Sequence, residues 1–297
     1  MQKIVECVPN FSEGRDKKKM SAIFDAASKA RGVKVFELES DKSHNRCLFT
    51  IVGSPDAVLN AVFESIKLAT KLIDMRTHKG EHPRIGATDV VPFVPVSGVT
   101  MKECIDLSNR LGKMVADKLN IPVYLYEASA KKPSRENLAD VRAGEYEGLK
   151  AEIEINEDRK PDYGPAKMHP TAGAVVIGAR KYLVAYNVNL DTKNVEIAKK
   201  IASAIREKGG GLPGVKALGF GVGGYAQVSM NLVDFEKTNI DAAYDAVKKQ
   251  AKGHKVEIKN SEIYGMIPLE ALVLSVKNML KANTFKSDQV LEKRLYE

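Results

Sequence analysis

The chain has 297 residues, a formal net charge of +8 and a pI near 9.1. This length suffices for one large domain or two smaller ones, each with its own core. No run of about 18 apolar residues predicts a membrane span, and the first residues lack the apolar core and cleavage site of a signal peptide. The three cysteines, Cys7, Cys47 and Cys104, have no CxxC spacing, which argues against a disulfide framework or a structural zinc site and predicts a reducing, cytoplasmic setting.

The basic charge is compatible with nucleic acid, an anionic surface or a small anionic substrate as partner. Lysine pairs such as Lys199-Lys200 fall on predicted helical faces without interleaved aromatic residues. A surface that stacks single-stranded nucleic acid needs such aromatic residues. The pattern therefore favours solvated helices and predicts neither a nucleic-acid nor a membrane partner.

The first half of the chain alternates between strands and helices. Strands are expected at 4–8, 33–38, 47–52, 89–94 and 121–125, and helices at 16–30, 54–73 and 101–119. Gly80 and Pro83 are expected to stop the helix over 54–73, since glycine disfavours a helix and proline lacks an N–H group. His82 is thus predicted on a rigid loop between a helix and a strand. Residues 128–162 are predicted to form a polar connector with one or two short helices.

The second half repeats this alternation. Paired strands are expected near 174–177 and 182–187, a helix over 194–208, strands at 215–221 and 227–233, a helix over 239–252, a strand at 256–263 and a closing helix from Leu269. The stretch from Gly219 to Gly224 formally fits the dinucleotide fingerprint G-x-G-x-x-G. That fingerprint requires a following helix. A strand-like alternation follows instead, so a glycine-rich hairpin is predicted.

Both halves have the order strand, helix, two strands, helix, strand, which is the split β-α-β, ferredoxin-like order. This predicts an α/β (α+β) fold of two tandem, related ferredoxin-like subdomains, each a mostly antiparallel sheet covered by helices. The subdomains are expected over 1–178 and 179–297, with the boundary within 175–181. A cleft between them is the default expectation for a binding site.

His82 is the best candidate for proton transfer, because an imidazole can take and return a proton near physiological pH. A structural hydrogen-bonding role is the alternative. His78 lies four residues earlier, a spacing that can bind a metal on a helix. Gly80 and Pro83 make a continuous helix there unfavourable, and the sequence has no H-E-x-x-H. No metal site is therefore predicted.

Two further histidines have open roles. His44, beside Asn45 and Arg46, is predicted either to contact a carboxylate or to stabilise a polar turn. His169 lies in a loop rich in glycine and proline, where a ligand contact competes with a role in structuring the loop.

Several motifs resemble the formiminotransferase family over essentially the whole chain. They are Val5-Glu-Cys-Val-Pro-Asn-Phe-Ser-Glu-Gly14, His78-Lys-Gly-Glu-His-Pro-Arg84 with Gly86-Ala87 and Asp89, Pro122-Val-Tyr-Leu-Tyr126, Arg142-Ala-Gly-Glu-Tyr-Glu147, Gly178-Ala-Arg-Lys181, Asn187-Val-Asn-Leu190 and Gln227-Val-Ser-Met-Asn-Leu232. The resemblance implies transfer of a formimino group from N-formimino-L-glutamate to N5 of tetrahydrofolate, in histidine breakdown. It also implies two similar α/β subdomains, a folate tunnel between them and a homodimer. In animals a cyclodeaminase domain is fused to this domain. The present sequence ends where such a domain would begin, so a stand-alone transferase is expected.

The resemblance also implies roles for individual residues. His82 falls on the catalytic histidine, with proton transfer as general acid and base. The folate-binding residues fall on Gly164, Pro165, Ala166, Lys167, Met168, His169, Pro170, Thr171, Ala172 and Gly173, with a further contact at Gly214. Ala172 stands where animal enzymes have tryptophan, so stacking on the folate ring is expected to be weaker or supplied by Tyr163. Other expected substrate contacts are Asn10, His44, Arg46 and Arg84. The anionic groups of the substrates are expected to bind to Arg46, Arg84 and Lys167.

Other functions fit parts of the same pattern. Formyl transfer from N-formylglutamate and cyclisation of 5-formyltetrahydrofolate would use the same folate site with a different small group. A folate-binding protein without catalysis would leave the His82 loop unexplained. A basic, ferredoxin-like RNA-binding protein needs aromatic residues on its central strands. Phe49 is the only aromatic residue on 47–52 and none lies on 227–233, which disfavours RNA binding.

Overall fold

The computed structural model describes residues 2–296, and the chain divides into two compact units, one up to Arg180 and one from Lys181 onward. The strands of the first unit are β1 (Ile4–Cys7), β2 (Asn10–Phe11), β3 (Val33–Asp41), β4 (Arg46–Gly53), β5 (Thr88–Ser97), β6 (Val123–Glu127) and β7 (Val175–Ala179). Its helices are α1 (Lys17–Ser28), α2 (Pro55–Leu72), α3 (Met101–Leu119), α4 (Leu138–Val141) and α5 (Glu145–Glu152).

The sheet of the first unit contains a ferredoxin-like part and an extension. Strand β3 pairs with β4, β4 pairs with both β1 and β2, and these two pair with β5, all antiparallel. Strands β7 and β6 continue the sheet beyond β5 through two parallel pairings. Parallel neighbours require a crossover. Helix α3 lies between β5 and β6 in the chain, and α4 and α5 lie between β6 and its neighbour β7. Apolar residues of α1, α2 and α3 form one core with the sheet.

The boundaries of α1 and α3 follow from local capping groups. The Asp16 side chain accepts hydrogen bonds from the N–H groups of Lys18 and Lys19 at the start of α1. At the start of α3, Thr100 and Glu103 form a capping box, and Asn120 ends this helix in the left-handed conformation. The side chains of Asp16, Thr100 and Glu103 accept bonds from N–H groups that have no partner inside a helix. The predicted helix over 101–119 is therefore confirmed residue for residue.

The second unit has a separate core and a four-stranded sheet. Its strands are β8 (Val184–Leu190), β9 (Val215–Val222), β10 (Tyr225–Leu232) and β11 (Ile258–Tyr264), and its helices are α6 (Val195–Ile205), α7 (Ile240–Gly253), α8 (Leu269–Leu280) and α9 (Leu291–Tyr296). The antiparallel order β11-β8-β10-β9 is that of a ferredoxin-like sheet. Gly223 and Gly224, with φ of 56° and 85°, connect β9 to β10, which confirms the predicted glycine-rich hairpin.

The strand order confirms the prediction of two tandem ferredoxin-like subdomains but corrects two details. The strands predicted near 174–177 and 182–187 do not pair with each other, because β7 belongs to the first sheet and β8 to the second. Strand β2 is absent from the strands predicted from the sequence. Its two residues have no hydrophobic periodicity, and it exists because β4 and β5 supply hydrogen-bonding partners on both sides.

Two predictions drawn from composition can be compared with the described residues. None of their helices is long and apolar enough to span a bilayer. Cys7, Cys47 and Cys104 are buried free thiols that pack as small apolar side chains in the core of the first unit. Burial raises the pKa of Cys47 to about 12, so this thiol stays protonated near neutral pH.

Candidate functional site

The loop that contains His82 connects α2 to β5 and is fixed by neighbouring backbone. Helix α2 ends at Leu72, well before Gly80, so the prediction that Gly80 and Pro83 stop this helix is wrong. Gly80 is needed for a different reason. A Cβ atom at this position would lie 2.1 Å from the carbonyl oxygen of His44, in the turn before β4. The glycine thus lets the two loops approach each other closely.

The imidazole of His82 has two hydrogen-bonding partners, which determine its tautomer. Nδ1 lies 2.7 Å from the carbonyl oxygen of Pro83, and this oxygen can only accept. Nδ1 therefore carries the proton. Nε2 lies 3.0 Å from Nη1 of Arg46, which can only donate. The lone pair of Nε2 is thus directed at the guanidinium group.

The surroundings of His82 keep its imidazole neutral. The pKa falls to about 4, first because the ring is removed from water and then because of the positive charges of Arg46 and Arg142. The carboxylate of Asp89 opposes this shift only in part. At neutral pH the ring is therefore an uncharged base with a defined tautomer.

Arg46 lies at the start of β4 in a position that is unfavourable for a guanidinium group. Burial lowers its pKa to about 10, and Arg142 contributes to the shift while Asp89 opposes it. Its Nε atom is buried and has no hydrogen-bond partner among residues 2–296. A buried donor without a partner is costly and marks a position where a ligand oxygen would be favourable.

Asp89 and Arg142 form a buried ion pair beside this site, with exposed side-chain fractions of 3% and 11%. One oxygen of Asp89 accepts from Arg142, and the other accepts the N–H of Ile85 at 2.9 Å. The pair thus connects the start of β5, the loop of His82 and the residue that follows α4. Asp89 forms its ion pair with Arg142 and acts on Arg46 through its charge.

Arg84 was predicted to meet an anionic group of a substrate, and its guanidinium group is already paired within the protein. It binds Glu147 with two contacts of 2.8 Å and Glu145 with one of 2.7 Å. Its Nε also donates to Nδ1 of His78 at 3.3 Å. The hydrogen bond with Arg84 lowers the pKa of Glu147. Arg84 therefore anchors the histidine loop to α5 in this structure, and its expected substrate contact stays a prediction.

His78 and His44 are held by local contacts. Nδ1 of His78 accepts from Arg84, and Nε2 therefore donates to the carbonyl oxygen of Asn45 at 2.9 Å. The His44 backbone N–H donates to Asp41 at 2.7 Å, and its exposed ring lies 5.8 Å from that of His82. The hydrogen bond uses the His44 backbone, while Nδ1 of its ring lies 3.8 Å from a carboxylate oxygen of Asp41, so both alternatives for the His44 side chain stay predictions. Among the residues described, no three metal-ligating side chains lie close enough together to hold an ion.

The loop predicted to contact folate lies directly against the loop of His82. The N–H of Ala87 donates to the carbonyl oxygen of Ala172 at 2.8 Å, and that of Ala174 donates to Ile85 at 3.0 Å. Gly173 adopts φ of 72° where the two backbones meet. These bonds make the two loops one structural unit, which their separation in sequence did not reveal.

Several side chains of this second loop serve the loop itself. Nδ1 of His169 accepts the N–H of Ala172 at 3.0 Å, which supports its loop-structuring role. Met168 and Ala172 are buried in the core of the first unit, so Ala172 offers no surface for stacking. Tyr163 donates to Asn109 at 2.7 Å, and the ammonium group of Lys131 lies 4.1 Å from its ring centre. Tyr163 is therefore already engaged and has a cation on one face.

Asn10 and Gly214 have different surroundings. Asn10 is 5% exposed and lies opposite Leu48 on β4, two positions from Arg46 and hence on the same face of the sheet. Its Oδ1 atom is buried without a hydrogen-bond partner in the described part of the chain. Gly214 belongs to the second unit, where φ of 73° and a hydrogen bond from its N–H to Glu207 define a turn before β9.

Comparison with known proteins shows which family the chain resembles. The formiminotransferase domain, N-terminal subdomain, matches residues 4–180, and the formiminotransferase domain matches residues 185–293. A glutamate formimidoyltransferase from Streptococcus pyogenes serotype M1 is 44% identical over 99% of both chains, and one from Thermoplasma acidophilum is 46% identical over 98% of this chain and 97% of its own. A formimidoyltransferase-cyclodeaminase from Rattus norvegicus is 43% identical over 92% of this chain and 52% of its own length.

The chain belongs to the formiminotransferase family. The two regions matched by the family meet near the division between the two compact units. Asp89 and Arg142 belong to motifs through which the sequence resembled the formiminotransferase family, yet neither was predicted as part of the site. One local signal was available, because Asp89 stands near the start of a strand whose first seven residues are buried. A carboxylate in such a position requires a partner.

Proposed function

We propose that this member of the formiminotransferase family transfers the formimino group of N-formimino-L-glutamate to N5 of tetrahydrofolate and releases L-glutamate. One observation supports this most directly. His82 is a neutral imidazole with a fixed tautomer, its Nε2 lies 3.0 Å from Nη1 of Arg46, and the charge of Arg142 also acts on the ring. A neutral base is needed to move a proton between two nitrogens, and the positive charge suits a donor with two carboxylates.

His82 performs the proton transfer through Nε2, since Nδ1–H is bound to the carbonyl oxygen of Pro83. The bond from N5 to the formimino carbon forms as the π electrons of the protonated C=N bond move onto the imino nitrogen, and Nε2 accepts the N5 proton. The C=N bond then re-forms as the bond from that carbon to the glutamate nitrogen breaks, and Nε2 returns the proton to this nitrogen. No net proton is gained or lost. Proton transfer of this kind contributes about 10²–10⁴-fold to the rate.

Tetrahydrofolate is proposed as co-substrate, with residues 164–173, Gly214 and Asn10 as contacts. The unpartnered, buried Oδ1 of Asn10 suits a ligand with N–H donors, as a reduced pterin has. Within the loop, the side chains of Met168 and Ala172 are buried. Tetrahydrofolate would therefore contact the loop through its backbone and its other side chains. Lys167 is exposed and can meet a carboxylate of the folate glutamyl tail. We further propose that the protein acts in the cytoplasm as a homodimer.

The reaction is tested by incubating the protein with tetrahydrofolate and one donor at a time, namely N-formimino-L-glutamate, N-formyl-L-glutamate or, without added tetrahydrofolate, 5-formyltetrahydrofolate. The folate absorbance and the release of L-glutamate are followed together. We expect turnover with the formimino donor at a rate far above the others. Turnover confined to a formyl compound would reassign the donor, and binding of folate without any turnover would indicate a folate-binding protein.

A further inference from the structure

The contact between Arg46 and His82 places a donor on the atom that must exchange protons. Nη1 of Arg46 lies 3.0 Å from Nε2 of His82, and Nδ1–H is held by Pro83. While this contact lasts, the lone pair of Nε2 is occupied and cannot accept another proton. The structure therefore shows the base in a neutral but blocked form.

Arg46 also lacks a carboxylate partner of its own. Among residues 2–296 no carboxylate oxygen forms an ion pair with it, and its Nε is buried without a partner. The nearby carboxylate of Asp89 is used by Arg142 and by the N–H of Ile85. A bound carboxylate would satisfy the guanidinium group of Arg46 better than a neutral imidazole does, because charge-assisted bidentate bonds are the stronger ones.

We propose that Arg46 binds the α-carboxylate of the donor, and that this binding removes its guanidinium group from Nε2 and frees His82 to act as base. The inference rests on the proposed function. In the donor, the nitrogen that leaves and the α-carboxylate are attached to the same carbon atom. A group that protonates this nitrogen must therefore lie beside a group that binds this carboxylate. His82 and Arg46 have this arrangement.

A consequence for specificity follows. A donor without the α-carboxylate leaves Arg46 on Nε2, so it loses catalytic rate as well as affinity. Loss of the base lowers kcat by about 10²-fold or more. The γ-carboxylate lies farther from the leaving nitrogen and is not expected to act in this way. Arg46 would thus be a positioning residue that couples recognition of an amino acid to activation of the base.

The charges that face His82 come from three elements besides its own loop. Arg46 lies on β4, Arg142 follows α4 and Asp89 lies on β5, while the ring of His44 approaches from the turn before β4. Withdrawal of Arg46 leaves Arg142 and Asp89, whose opposite charges partly cancel at the ring. The pKa of His82 is therefore expected to rise towards its ordinary value when a carboxylate binds.

The test needs no turnover. Wild-type protein labelled with ¹⁵N-histidine is titrated with L-glutamate or with 4-aminobutyrate, which is glutamate without its α-carboxylate, at equal ionic strength. We expect L-glutamate to change the Nε2 resonance of His82 and to raise the midpoint of its pH titration, and 4-aminobutyrate to change neither. Binding of L-glutamate with no change at Nε2, equal changes with both compounds, or no binding of L-glutamate at 100 mM would each overturn the inference.

Variants provide a second readout. In Arg46→Met we expect the midpoint of the His82 pH titration to be higher than in wild type without ligand, and L-glutamate no longer to change it. The control Arg31→Met, at an exposed position, is expected to behave as wild type. The kcat ratio between N-formimino-L-glutamate and N-formimino-4-aminobutyrate is expected to narrow to about tenfold or less in Arg46→Met. An unchanged ratio and midpoint would contradict the role of Arg46. If L-glutamate removes Arg46 from Nε2 of His82 but the protein transfers no formimino group, the proposed reaction is wrong and the inference about Arg46 stands.

Discussion

Asp89 and Arg142 lie 53 residues apart in sequence and form an ion pair that is almost completely buried. Removing one member of such a pair leaves the other as an uncompensated charge. We expect Asp89→Asn to lower the free energy of unfolding by about 3 kcal/mol, as measured by urea denaturation. Asp56→Asn breaks an ion pair with Arg110 in which both side chains are more than half exposed, and it should change stability by about 1 kcal/mol or less. Equal effects of the two substitutions would contradict a structural role for the buried pair.

His82→Ala is expected to lower kcat for formimino transfer by about 10²–10⁴-fold and to leave the fold intact. The reason is that no other imidazole in the described chain has Nε2 directed at Arg46. Steady-state kinetics combined with circular dichroism measures both effects. His254→Ala, at an exposed position after α7, serves as the matched control. Activity of His82→Ala close to that of wild type would exclude this histidine as the base.

The depressed pKa of His82 predicts how stability depends on pH. Its pKa is about 4 in the folded chain and 6.5 as the ordinary value, so the unfolded chain binds more protons between these values. Stability from this group therefore rises with pH over this window and is lost as the pH falls. We expect the difference in unfolding free energy between pH 7.5 and pH 5 to be smaller in His82→Gln than in wild type. If His254→Gln had the same effect, the dependence would not come from His82.

Gly80→Ala tests the close approach of the two loops at the site. A Cβ atom at Gly80 would lie 2.1 Å from the backbone oxygen of His44, and a backbone atom cannot move aside as a flexible side chain can. We expect a loss of about 1–3 kcal/mol in stability and a fall in kcat, because His82 is two residues away. At Gly253 an added Cβ would meet no atom within 4 Å, so Gly253→Ala should keep full activity. Thermal unfolding and kinetics of the two variants provide the comparison.

The order of the elements and many of their boundaries were predictable from local residue patterns. The limits of α3 were predicted correctly, and its capping residues, Thr100, Glu103 and Asn120, lie within a few positions of the helix ends. The glycine-rich hairpin was predicted because Gly223 and Gly224 allow a turn that other residues disfavour. The position of His82 on a loop before an apolar strand was also evident from local residue types. These features depend on interactions between near neighbours in the chain.

The chemical state of the site depends on contacts between segments that are distant in sequence. The tautomer of His82 and the block on its Nε2 depend on Arg46, 36 residues away, and the pairing of Arg84 depends on Glu147, 63 residues away. Likewise, β7 joins the first sheet because β5 and β6 offer it hydrogen bonds on both sides, which no local pattern encodes. Burial and long-range hydrogen bonds set the pKa and the partner of each charged group. These quantities are properties of the folded chain, because they arise only when distant segments exclude water together.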